Sequence, residues 1–216
     1  MKWASAIANA RRLDDAVEQA AEDLLPELDN AAPDLVFAFV TGHHAAHFER
    51  VPALVQDHLP GATLIGCSAG GVAGDGREVE NQPAVALVGA SLPGVRITPF
   101  RVPTDLGEHS ALWEIDDQEP TAIVLLPEPF SSNIVGLLER LEATLPGHPV
   151  VGGLASGGNQ PGTTALFLEE RVVRTGTVGV ALQGAIRMET VVAQGCRPIG
   201  DPLFVTRGQD HLIFEL

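Results

Sequence analysis

Leu59-Pro60-Gly61-Ala62-Thr63-Leu64-Ile65-Gly66-Cys67-Ser68-Ala69-Gly70-Gly71 is echoed later in the chain by Leu145-Pro146-Gly147-His148-Pro149-Val150-Val151-Gly152-Gly153-Leu154-Ala155-Ser156-Gly157-Gly158. Each copy is a Pro-Gly turn, a short apolar run of strand character and a loop of small residues. The interval is constant, from Gly61 to Gly147 and from Gly66 to Gly152. Upstream, Asp34–Thr41 precedes the first copy as Pro120–Pro127 precedes the second. A repeated strand–helix–strand–loop unit predicts an internally duplicated α/β domain, with pseudo-repeats about 34–102 and 120–194.

The flanking sequence fills in the elements. Leu35–Val40 and Thr121–Leu126 are continuous apolar runs, the pattern of strands buried on both faces. Helical spacing covers Leu13, Ala16, Val17, Ala20, Ala21, Leu24 and Leu25, and again Ile134, Leu137, Leu138 and Leu141. A further helix is expected over Ala46–His58, with Pro52 close to its true start. Trp3–Ile7 reads as a short strand. Ala84–Ser91 and Val95–Val102, joined by Leu92-Pro93-Gly94, read as a hairpin. Thr164–Glu169, Arg171–Arg174, Val178–Leu182 and Arg187–Ala193 read as antiparallel strands. Leu212–Leu216 reads as an interior strand at a domain edge. The expected fold class is α/β, with mixed parallel and antiparallel sheets and helices in a layered sandwich.

Composition bounds the function. The 216 residues suffice for a full core, and 45% hydrophobic against 19% charged residues is a globular balance. A net charge of −15 with no Lys/Arg stripe excludes phosphate-backbone binding and disfavours an anionic membrane surface. The longest apolar runs are of strand length, and the N-terminus lacks a secretory signal. Two cysteines make no disulfide framework and read as reduced thiols of a cytoplasmic protein.

Chemistry is expected at the first loop, at the C-terminal end of a buried strand. Gly66, Cys67, Ser68, Ala69, Gly70 and Gly71 offer backbone amides, a thiol and a hydroxyl. Arg77 adds a guanidinium suited to a carboxylate. Gly153, Ser156 and Gly157 supply the opposite wall. The loop is not a nucleotide P-loop, since Gly-x-x-x-x-Gly-Lys-Ser/Thr is absent. Cys67 with His43 or His44 as base would make a thiol-dependent hydrolase or transferase. His43 and His47, four apart, suit one helical face, with Glu49 as a third ligand, but a solvated or capping cluster is the plainer reading. No metal or cofactor is expected, and no catalytic residue is assigned. Cys196, beside Arg197, reads as a structural thiol.

Ile65–Gly71, Arg77-Glu78-Val79-Glu80, Ala90-Ser91-Leu92-Pro93-Gly94-Val95 and Gly195-Cys196-Arg197-Pro198-Ile199-Gly200 resemble, in order and spacing, the FIST (F-box and intracellular signal transduction) family, specifically its N-terminal domain. The resemblance runs from Trp3 onward and takes residues 1–216 as one such domain. It implies an intracellular sensory domain that binds a small molecule, an amino acid or related metabolite, rather than an established enzyme. It also implies a C-terminal FIST domain, not found in this chain, or a signalling protein as partner. A protein-interaction scaffold whose terminal strand pairs with such a partner is the remaining alternative.

Overall fold

The computed structural model describes residues 1–106, 110–116, 118–119, 121–191, 195–209 and 212–216. The continuous apolar run becomes β2 (Leu35–Thr41), at the heart of a six-stranded sheet. Its parallel neighbour is β3 (Thr63–Ala69), with Leu35 opposite Thr63. On its other side β6 (Val85–Ser91) runs antiparallel and is in turn flanked by β1 (Lys2–Ala8). Beyond β3 lie β10 (Leu166–Leu168) and β11 (Arg171–Val173), an antiparallel pair from late in the chain.

One face of this sheet carries α1 (Leu13–Glu27) and α2 (Val51–His58). The α1 stripe is the expected one, and Pro26 falls in its last turn. Small residues set how closely α1 approaches: a Cβ on Gly89 of β6 would lie 2.8 Å from Leu24 Cδ2. A 3-10 stretch, Gly42–Arg50, precedes α2, so Pro52 does sit in the first turn of the α-helix proper.

A second sheet has the order β7 (Val95–Val102), β12 (Thr177–Gly184), β8 (Thr121–Pro127) and β9 (Val150–Gly152). Only β8 and β9 are parallel; they are joined by α3 (Ile134–Thr144), whose N-cap Asn133 accepts from the Gly136 N–H at 3.1 Å. Leu137, Leu141 and Leu145 seat α3 on the outer face with Phe100, Ile123 and Leu125. The inner faces meet through Leu35, Phe37, Ile65 and Leu166 on one side and Leu126, Val178, Val180 and Leu182 on the other. The layers are therefore helix, sheet, sheet, helix. Alternation explains β2: Leu35 and Phe37 face the second sheet, while Val36, Ala38 and Val40 face the helices.

Four expectations are corrected. Ala84–Ser91 and Val95–Val102 form no hairpin: both edges of β6 are already paired, with β1 and β2, so Leu92-Pro93-Gly94 sends β7 into the other sheet. Of the late antiparallel set only β10 and β11 pair with each other, because β12 lies between β7 and β8. Arg187–Val191 is irregular after Gly184, whose φ of 100° ends β12; Val192 and Ala193 lie outside the described residues, as do Pro120 and Gln194 at the bounds of the second repeat. The C-terminal segment is no interior strand but β14 (Leu212–Glu215), exposed throughout and paired only with β13 (Arg207–Gln209).

The strand order β1-β6-β2-β3 has the same pattern as β7-β12-β8-β9. The register differs by one: Leu35 faces Thr63 in the first parallel pair and Ile123 faces Val150 in the second.

Candidate functional site

The first loop is mostly strand. Cys67, Ser68 and Ala69 complete β3 and are buried, and only Gly70 and Gly71 reach the surface. The Ser68 side chain faces inward, where its Oγ accepts from the Ala165 N–H at 3.0 Å, and the Ser68 N–H donates to the Ala165 carbonyl at 2.8 Å. Its carbonyl accepts from both the Ser156 and Gly157 N–H groups, each at 3.2 Å. Ser156 Oγ in turn accepts from the Gly70 N–H at 3.1 Å. The two small-residue loops are thus stitched together, with no crevice between them at this point. A Cβ on Gly157 would lie 2.5 Å from Ser68 Cβ, so the approach needs glycine.

Cys67 points into the core between the sheets, 5% exposed, and burial pushes its thiol up to about 12. A thiol in that state carries almost no thiolate at neutral pH, which removes the basis for nucleophilic chemistry. The histidines offer no help. His43 and His47 are exposed on a 3-10 stretch, whose three residues per turn take positions four apart off a common face. His44 is buried, and its Nε2 has no partner among the described residues. Burial first, then the neighbouring His43 and His47, holds His44 below its ordinary pKa of 6.5. Glu49 pairs with Arg174 at 2.6 Å.

Arg77 lies elsewhere. After Gly70 the chain forms a two-stranded hairpin, β4 (Gly71–Gly74) and β5 (Arg77–Glu80), which covers Ile7, Ala84 and Ala86 with Val72. Arg77 Nη2 donates to the Ile7 carbonyl at 2.7 Å and the Asp75 N–H to Ser5 Oγ at 3.0 Å, so this side chain fastens the hairpin to β1. Cys196 is an exposed free thiol.

The second loop does something different. Gly153 and Ala155 continue the pairing with β8, their N–H groups donating to the Leu125 and Pro127 carbonyls at 3.3 and 3.0 Å. Where this loop leaves β9 a cleft of about 630 Å³ opens at the C-terminal ends of the parallel pair. Leu125, Pro127, Gly152 and Gly153 meet Ile134 and Leu138 of α3 there, with Leu154 and Glu189 at its edges. No lysine or arginine lines it. Beside it, buried Glu128 accepts from the Phe130 N–H at 3.0 Å and the Ser131 hydroxyl at 2.6 Å through Oε2, while Oε1 has no partner among the described residues.

Of the expected site residues, then, only Gly153 lines the cleft. Gly66, Cys67, Ser68, Ala69, Gly70, Ser156 and Gly157 belong to the seam between the loops and the core beneath it, and Gly71 and Arg77 to the hairpin. Leu138, Leu154 and Glu189 were not singled out by the sequence. Leu138 sits in a helical stripe that reads simply as core, and Glu189 in a segment that reads as strand.

The architecture and cleft define a layered mixed α/β protein with a pocket at strand ends. Residues 34–216 match the FIST N domain, and the chain belongs to the FIST family, whose domain is associated with signal transduction. β1 and α1 precede the matched stretch yet are integral to the first sheet and its helical layer. An uncharacterised protein of Mycobacterium tuberculosis (strain H37Rv) is 38% identical over 202 residues, covering 93% of this chain and 52% of its own length. An uncharacterised protein of Mycobacterium bovis is 36% identical over 206 residues, with the same two coverages. The chain thus spans about half the length of these relatives. No helix among the described residues is long and apolar enough to cross a membrane.

Proposed function

We propose that this chain is a cytoplasmic sensory module that binds a small molecule in the cleft at the ends of β8 and β9, residues 1–216 acting as one unit. The cleft carries the reading: its volume is that of a metabolite pocket, and it lies where α/β sheets hold ligands. Its lining selects the ligand class. With apolar walls and no cationic side chain, it suits a ligand with an apolar body, such as an apolar amino acid or a related metabolite, over a polyanion. Gly153 contributes backbone to the ligand. Ser68, Ser156 and Gly157 act indirectly by fixing the loop that carries Gly153, and Arg77 has no part in recognition. The matching strand orders favour two pseudo-copies as the origin of the halves, with the second copy holding the ligand. A C-terminal FIST domain or a signalling protein would receive the output.

The test is a thermal-shift and calorimetric screen of apolar amino acids and related metabolites. A ligand that stabilises the wild type, still binds Arg77→Ala, and loses at least tenfold affinity in Leu154→Asp supports the cleft. If no compound binds, or if Arg77→Ala abolishes binding while Leu154→Asp does not, the reading fails. The thiol-enzyme alternative is answered by iodoacetamide at neutral pH: Cys196 reacts at once and Cys67 only on unfolding.

A further inference from the structure

The two sheets differ at one edge. In the first, the outer edge of β3 is covered by the antiparallel hairpin β10–β11, with Leu166, Phe167 and Leu168 opposite Cys67, Gly66 and Ile65. In the second, β9 holds the corresponding place and ends the sheet, so its outer backbone edge is open. That edge is the one the cleft borders, with Val150 and Val151 on one side and Leu138 of α3 on the other. An open strand beside an apolar groove is the arrangement that accepts an added strand, main chain for affinity and side chains for register.

The same chain carries an antiparallel hairpin with nothing to pack on. β13–β14 is exposed at every described position, including Leu212, Ile213 and Phe214 at 52%, 63% and 52%. Leu203, Phe204 and Val205 just before it are exposed as well. Large apolar side chains clustered in this way mark an interaction surface. A single chain folded as described leaves both the edge and the hairpin unfilled, and two copies fill both at once by reciprocal exchange. The segment between Val191 and Arg207 spans up to about 50 Å when extended, enough to reach a neighbour. Charge does not oppose the contact. In a chain of net −15, the described residues from Gly195 to Leu216 hold Arg197 and Arg207 against Asp201 and Glu215.

We propose that the outer edge of β9 is a β-augmentation site whose occupant is the β13–β14 hairpin of a second copy of this chain, giving a closed two-fold dimer. The docked hairpin lies on β9 as β10–β11 lies on β3, and roofs the cleft without filling it. The inference does not rest on the ligand reading.

The test is the mass of the reduced protein by sedimentation and light scattering across a concentration series. The wild type is expected to dimerise. Leu138→Asp, which removes the groove, and the double variant Ile213→Asp/Phe214→Asp, which removes the hairpin, are each expected to weaken dimerisation at least tenfold. Both changes fall on exposed side chains, so folding is retained and is checked by circular dichroism. An equimolar mixture of the two variants is expected to associate, because one hairpin–edge pair is intact in the mixed dimer. In a Cys196→Ser background, Leu138→Cys with Ile213→Cys should cross-link to dimer mass under oxidation. A monomeric wild type overturns the proposal. So do dimers unaffected by both variants, a mixture that stays monomeric, or a cross-link of monomer mass, which would place the hairpin on its own chain or free for another partner.

Discussion

Two strand ends in this molecule start from similar sequence and finish differently. At the end of β2 and β3 the chain closes on itself: Ser68 gathers hydrogen bonds from Ser156, Gly157 and Ala165, and Gly157 lies against it too closely for any other residue. At the end of β8 and β9 the same kind of loop leaves a cleft of about 630 Å³. The difference lies in the segment that leaves each loop. After Gly70 the chain folds back as a hairpin over β1, while after Ala155 it crosses to the first sheet and plugs the first end on the way. A glycine-rich loop at a strand end is therefore a site or a seam depending on which backbone arrives to use its amides.

The sharpest way to break the contrast is a pair of glycine substitutions. Gly157→Val would force a Cβ to 2.5 Å from Ser68 Cβ and 2.7 Å from the Ala69 nitrogen, and should cost about 3 kcal/mol or prevent folding. Gly153→Ala meets nothing within 4 Å and should change stability by less than about 0.5 kcal/mol. Urea unfolding of the two variants reads both values; equal costs would mean that the loops are not packed differently.

Ser68→Ala comes next. It leaves the buried Ala165 N–H without its acceptor, an expected loss of about 1–3 kcal/mol in chemical denaturation. Binding in the cleft should survive, so a variant of full stability that loses ligand would return the site to the first loop.

A smaller, pH-dependent effect comes from His44 near the closed end. Its pKa is lowered in the folded state, so the unfolded chain binds the proton first and stability falls as pH drops below about 6.5, the unfolded value. Melting temperature should decline from pH 7 to pH 5.5, and His44→Phe should flatten that slope. An unchanged slope would show that His44 is not buried in neutral form. The smallest effect is expected at the open end. Leu154→Ser, at a side chain 54% exposed, should alter stability by less than about 0.5 kcal/mol. A large loss there would mean that the cleft is part of the packed core.

Much of the fold was legible because local patterns carry it. The apolar run Leu35–Val40, the α1 stripe and the paired Pro-Gly turns identify strands, helices and a parallel crossover without reference to distant residues. The site was less legible. Cys67, Ser68 and Arg77 have reactive chemistry in their side chains, but burial, a backbone acceptor and the Ile7 carbonyl employ all three structurally. Leu138 and Leu154 look like ordinary core residues in sequence, and only the open edge of β9 exposes them. The expected hairpin at Leu92-Pro93-Gly94 failed for a related reason: a tight turn does not say whether its flanking strands have free edges.

By itself, then, the sequence determined the elements, their mixed α/β class and the FIST family, because periodicity, turn residues and ordered motifs are local properties. Only the tertiary structure decided which strand edges were paired, which loop was plugged and which stayed open. Those outcomes depend on backbone hydrogen bonds between residues far apart in the chain, whose donors and acceptors are the same for every residue type except proline and so leave little trace in the sequence.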